Sequence, residues 1–148
     1  MALIHEPSEG RLAFQLAYGD TDTVGIAYFD IYYRWMERCY STWLYSKGIR
    51  SGQMADDLGI VTVGLSSGCR YLDTVKVFDE IVCQAVAEHI GNSSYAVGFE
   101  FTRGETLVTK GQMVFASRNP DDFSKAPIPE RLLKALHSLP EPRFDVQV

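Results

Sequence analysis

Tyr18-Gly19-Asp20-Thr21-Asp22-Thr23-Val24-Gly25-Ile26-Ala27-Tyr28-Phe29, running on to Ser46 with no glycine or proline after Gly25, is the stretch that decides the fold. Its first half has the glycine, threonine and aspartate of a turn that exposes its side chains. The second half predicts a helix over 29–46. Asp30 falls in the first turn, where a carboxylate offsets the positive end of the helix dipole, and Lys47-Gly48 supplies a stop. Phe29, Tyr32, Tyr33, Trp35, Tyr40, Trp43 and Tyr45 fall on more than one face, which predicts a helix embedded on most sides. Arg34, Glu37, Arg38 and Ser41 mark the polar side that remains.

Outward from this segment the pattern changes period. Residues 12–18 alternate loosely, as a strand does, and 51–58 predict a short helix ended by Gly59. Strands follow over 60–72, 79–90, 94–102 and 107–117, joined mainly by hairpins, with Gly91-Asn92 and Arg103-Gly104-Glu105 as tight turns. Tyr95, Val97, Phe99 and Phe101 alternate with Ala96, Gly98 and Glu100, so one strand face is expected to be buried and the other lighter. Beyond Asn119-Pro120 a short amphipathic helix is expected over 129–139, and the last residues are expected to be poorly ordered. One strand, one long helix and four further strands make an α+β layout, an antiparallel sheet of about five strands wrapped around a central helix. The whole of 1–148 reads as a single domain with its core over about 12–118 and a C-terminal helix and tail over 119–148.

Composition narrows the function classes. The chain is 46% hydrophobic and 22% charged, the balance of a globular protein, and its net charge of -5 disfavours nucleic acid as a partner. Met1 to Gly10 has no basic-then-apolar pattern of a signal peptide, and no apolar run reaches membrane length, so no membrane role and a cytoplasmic location are expected. Cys39, Cys69 and Cys83 are odd in number and widely spaced, which fits packed free thiols rather than disulfides or a metal site. His5, His89 and His137 are far apart, and no G-x-S-x-G occurs.

The loop 18–29, its continuation Tyr33-Arg34-Trp35-Met36-Glu37-Arg38, and downstream Cys69-Arg70-Tyr71-Leu72, Gly91-Asn92-Ser93-Ser94-Tyr95 and Thr109-Lys110-Gly111-Gln112 together resemble the hotdog-fold acyl-CoA thioesterases of the 4-hydroxybenzoyl-CoA thioesterase family. The resemblance covers about 12–118. It implies a hotdog fold, a hydrolase acting on an acyl-CoA thioester with no cofactor, and a homo-oligomer, dimer or homotetramer. The second loop aspartate is the family's catalytic carboxylate, which maps onto Asp22, and the first helical residue donates its backbone N–H to the thioester carbonyl, which maps onto Phe29. Gly25, Tyr28, Tyr32, Tyr33, Ser93 and Ser94 fall at substrate-binding positions, the serines by the CoA tail. Where some relatives carry basic residues near that hairpin, this chain has Gly91 and Asn92. Where many have a histidine or asparagine at the helix start, it has Phe29-Asp30-Ile31, which leaves the carbonyl to backbone groups.

The chemistry is sound in its own terms. Thioester hydrolysis needs a nucleophile, or a base for water, and donors for the oxygen as it becomes an anion. A loop carboxylate just before a helix supplies the first, and the unpaired N–H groups of the helix N-terminus supply the second. Aspartates in such loops also serve as turn and capping residues, the role expected of Asp20. Glu37, two turns into the helix, is the backup carboxylate, with ion pairing to Arg34 and Arg38 as its simpler role. Arg70, Lys110 and Arg118 are expected to be solvated surface charges. The aromatic cluster at the helix start favours an aromatic or medium-length acyl group. A hotdog dehydratase or hydratase, a non-catalytic acyl-CoA-binding domain, and acyl carrier protein in place of CoA are the alternatives.

Overall fold

The computed structural model describes residues 5–148 and contains one five-stranded antiparallel sheet. Its strands are β1 (Arg11–Gln15), β2 (Val61–Tyr71), β3 (Glu80–Ile90), β4 (Ser94–Arg103) and β5 (Thr106–Arg118). The helices are α1 (Ile31–Ser46), α2 (Met54–Leu58) and α3 (Glu130–His137). The sheet order is β1-β3-β4-β5-β2. The tight turns join β3 to β4 and β4 to β5, whereas the chain from β2 to β3 crosses from one edge of the sheet to the other side. This is the hotdog arrangement, a sheet curved around α1.

Tyr32, Trp35, Met36, Cys39, Tyr40, Trp43 and Leu44 are the buried residues of α1, a single stripe at three- and four-residue spacing. Arg34, Glu37, Arg38 and Tyr45 are exposed, so α1 is embedded on one side and not on most sides. The expectation failed because Tyr45 and Phe29, counted as core aromatics, point to solvent. The stripe packs on Ile81, Cys83 and Ala85 of β3, Tyr95, Val97, Phe99 and Phe101 of β4, and Val108 and Phe115 of β5. Contact is closest at Gly111 of β5, where a Cβ would collide with Met36 Sδ, so only glycine lets helix and sheet meet there. Near the far end, the Tyr40 and Tyr95 hydroxyls lie 2.5 Å apart in the core.

The outer face of the sheet is not the lighter face expected. Every β4 residue from Tyr95 to Phe101 is buried: on the outer face the Glu88 side chain covers Gly98, and the tail after α3 reaches Glu100. Ala87 donates its N–H to Pro140 O at 2.9 Å, and the Glu100 carboxylate accepts the N–H groups of Arg143 and Phe144 at 3.0–3.2 Å. Arg70 reaches Gln147 O at 3.4 Å. The terminal residues are thus held by hydrogen bonds that no local pattern signals. Beneath them Lys110 is 1% exposed, not a solvated surface charge. Its Nζ is 2.5 Å from Glu88 Oε1, off-line for a hydrogen bond, and 3.7 Å from Glu100 Oε2.

Candidate active site

The loop between β1 and α1 folds on itself as a miniature hairpin. Thr21 faces Ala27, Asp22 donates its N–H to Ile26 O at 2.9 Å, and Gly25 donates to Asp22 O at 3.0 Å. Gly25 takes φ +80, a conformation that glycine enters without strain. The two loop aspartates divide their roles. Asp20 is a cap, its carboxylate accepting the Ala17 N–H at 2.9 Å and its carbonyl the Tyr28 N–H at 3.0 Å. Asp22 accepts the Val24 N–H through Oδ1 at 2.9 Å, while Oδ2 has no partner among the described residues. The loop is fastened to the β2–β3 connection, with Ala27 N–H on Val75 O at 2.7 Å and Ile26 bridged to Lys76.

Helix α1 begins at Ile31, two residues later than the spacing predicts, because the first turn is held differently. Ile31 donates to Tyr28 O and Tyr33 to Asp30 O, both at 3.1 Å, while the Phe29 carbonyl accepts the Tyr71 hydroxyl at 3.1 Å. Asp30 is the N-cap in position but makes no side-chain capping bond. No acceptor is found among the described residues for the N–H of Phe29, Asp30 or Tyr32, so this end keeps free donors.

Between loop and helix start lies an open cleft of about 550 Å³. Asp22, Tyr28, Asp30 and Arg34 line it, with Asp20 and Ile31 between them. Of the expected site residues Asp22 and Tyr28 line this cleft, whereas Gly25 and Phe29, next to them in the chain, are not among its lining residues. Tyr32 faces the other way, 3% exposed and edge-on to Trp35 and Phe101, and Tyr33 sits beside Cys69 and Tyr71. Ser93 and Ser94 lie at the opposite end of the sheet. β3 starts at Glu80 opposite Gln15, just before the loop, and ends at Ile90 opposite Tyr95. Glu37 is exposed on α1 and accepts the Ser41 hydroxyl through Oε1; it makes no ion pair with Arg34 or Arg38 among the described residues.

No cysteine or histidine competes for this chemistry. Burial pushes the Cys69 thiol up to about 11 and the Cys83 thiol well above its ordinary range, and both stay protonated. No histidine lines the cleft. Among the described residues no group of three or more His, Cys, Asp or Glu is placed to hold a metal, and no helix is long and apolar enough to cross a membrane. Sequence reasoning quotes Tyr71 only within Cys69-Arg70-Tyr71-Leu72 and does not foresee its bond to Phe29 O, 42 positions away.

Comparison with known proteins bears on the fold and the family. No curated protein matches the chain in sequence. The 1,4-dihydroxy-2-naphthoyl-CoA thioesterase of Synechocystis superposes with a TM-score of 0.77 at 17% identity, over 89% of this chain and 98% of that one. A gentisyl-coenzyme A thioesterase gives 0.71 at 19% identity over 86% and 98%. A Staphylococcus aureus protein solved in complex with CoA gives 0.77 at 12% identity over 90% and 87%. These establish the shared fold. The model of the thioesterase superfamily matches residues 25–110, from the last loop glycine through α1 and three strands to the start of β5. Over half of the chain lies in that match, and with it the chain belongs to the thioesterase superfamily, enzymes that hydrolyse thioesters.

Proposed function

We propose that the chain hydrolyses an acyl-CoA thioester, with Asp22 as nucleophile or as base for water and the free N–H groups of the α1 start, Phe29 foremost, as donors to the carbonyl oxygen. Water is the only co-reactant, and the products are the free acid and CoA thiol. One observation carries this. Asp22, which keeps a free carboxylate oxygen, and Asp30 and Ile31 at the α1 start line the same 550 Å³ cleft, a volume in the range of small-molecule sites, with Phe29 one residue before them in the chain. The thiolate leaves readily, so the work lies in attack and in stabilising the oxyanion. Tyr28 and Ile31 give the cleft apolar wall, which suits an aromatic or medium-length acyl group. Two structurally similar proteins bear the names of thioesterases for dihydroxynaphthoyl-CoA and gentisyl-CoA, both aromatic, and another was solved with CoA. The exposed Glu37 is the reserve carboxylate.

The assembly is proposed as a homodimer or a dimer of dimers, in the cytoplasm, without membrane or nucleic acid. β2 is an edge strand of 11 residues with no proline and one charge, Arg70, the kind of edge that pairs with another strand. Antiparallel pairing of two β2 edges exchanges the ends of the sheet. The Asp22 end of one copy then lies beside the Ser93–Ser94 end of its partner, where the serines are placed for the CoA tail.

Free thiol release from benzoyl, hydroxybenzoyl, phenylacetyl and straight-chain acyl-CoAs tests the proposal beside Asp22→Asn. The variant is expected to fold normally and lose at least 10²-fold in kcat, the order seen when a reacting group or one oxyanion donor is removed. Turnover that survives the substitution refutes Asp22 and moves the chemistry to Glu37 or to water held by backbone donors.

A further inference from the structure

The Phe29–Asp30 peptide is held in a way the hydrolytic site does not by itself explain. Its carbonyl accepts the Tyr71 hydroxyl at 3.1 Å instead of joining the helix ladder, since Tyr33 donates to Asp30 O. A trans peptide is planar, so fixing its C=O toward Tyr71 points the Asp30 N–H in the opposite direction. Asp30 lines the cleft beside Asp22, and its N–H has no acceptor among the described residues. A hydrogen bond accepted at the carbonyl also polarises the same amide and makes its N–H a better donor.

We propose that the Asp30 backbone N–H is a second donor to the thioester oxygen, and that Tyr71 is the positioning residue that aims and polarises it. This rests on Asp22 and the α1 start forming the reacting site.

Tyr71 is built for a fixed role. Its ring lies 5.4 Å from the buried Tyr32 ring, centroid to centroid, at the end of β2. Burial first, with Cys69 and the neighbouring tyrosines, pushes its hydroxyl up to about 12, so it remains a donor at any pH at which the protein works. The connection that follows it is anchored by Arg103, which holds Asp73 at 2.7 Å, Thr74 O at 2.8 Å and Asp79 at 3.5 Å. From that anchored segment Tyr71 grips Phe29 O and Val75 grips the Ala27 N–H, two residues apart on the strand of chain that enters α1.

The test is Tyr71→Phe, with 3-fluorotyrosine at position 71 as the variant that keeps the hydroxyl. Tyr71→Phe is expected to lower kcat roughly 5- to 20-fold with KM little changed, short of the ~10²–10³-fold cost of deleting a donor outright. The fluorinated residue is expected to restore turnover. A second readout needs no turnover: amide shifts of ¹⁵N-labelled protein, titrated with the benzoyl-CoA ketone in which a methylene replaces sulfur. The Asp30 amide should move strongly in the wild type and weakly in Tyr71→Phe. If Asp22→Asn abolishes hydrolysis while Tyr71→Phe leaves kcat intact, or only raises KM, the role of Tyr71 is refuted and the hydrolytic site stands. If the Phe29 amide moves with the ketone and Asp30 does not, the second donor is refuted alone. If no cleft amide moves, the site and the inference fall together.

Discussion

Gly111→Ala measures how tightly α1 is pressed onto the sheet. The added methyl would fall inside the contact radius of Met36 Sδ, with Met36 Cγ and Cε both 3.5 Å away. Met36 is fully buried, and Gly111 pairs with Cys69 on one side and Phe99 on the other, so neither backbone has room to retreat. A thioether can rotate away from part of the clash, which places the cost at the ordinary level of overpacking, about 1–3 kcal/mol, or roughly 3–9 °C in Tm for a chain of this size. Met36→Ala alone should cost about 2–5 kcal/mol through the cavity it leaves. In the double variant the methyl at 111 occupies part of that cavity, so the two costs should fall short of their sum by about 1–2 kcal/mol. Urea unfolding followed by the fluorescence of Trp35 and Trp43, both on α1, reads all four proteins. A Gly111→Ala protein within about 0.5 kcal/mol of wild type, or a double variant whose costs simply add, refutes the close approach.

Three further outcomes follow from the same structure. Lys110→Met leaves the buried Glu100 and the half-buried Glu88 without their cation and should lose about 3–5 kcal/mol in urea unfolding, much of it regained when both glutamates become glutamine. The Arg50 guanidinium and backbone hold the Asp57 carboxyl down at about 2, so its contribution is present above the unfolded value near 3.8 and lost as pH falls through about 2. The stability gap to Asp57→Asn should therefore be flat above pH 4 and close between pH 4 and pH 2. Cys69, pushed up by burial, should resist iodoacetamide at pH 8 in the folded protein and react in urea, with hydrolysis unimpaired by the reagent.

The elements that sequence alone delivers are those whose causes are local. β3, β4, β5 and α3 are found within two residues of their expected bounds, because alternation, amphipathic spacing and turn glycines act over a few residues. Gly104 turns at φ +60 between β4 and β5, and Gly59 ends α2 at φ +75, as those positions promise. Strand order was out of reach. Nothing in the residues of β2 says that it pairs with β5 and not β3, since that choice depends on the crossing of residues 72–79 over the sheet end. The buried outer face is illegible for the same reason: Gly98 and Glu100 look like an open face until Glu88 of β3 covers the first and Arg143 and Phe144, over 40 positions downstream, bind the second.

The candidate site divides along the same line, and the division bears on how it works. Asp22 and the helix start are close in sequence, and one loop geometry brings them together, so their pairing is legible without the fold. Tyr71 of β2 and Val75 of the β2–β3 connection hold the chain on either side of Tyr28, with Arg103 of β4 anchoring that connection, and these contacts exist only when β2 and the connection are in place. A loop with a carboxylate and two glycines would otherwise move freely, and a displacement of even 1 Å at the reacting atoms costs far more rate than the loop's own bonds can secure. In the proposed site the remote residues carry the rigidity, and the local ones the chemistry. Removing the Asp73–Arg103 link by Asp73→Asn should then slow hydrolysis without touching the cleft, while Asp22 and its Val24 bond remain as they are.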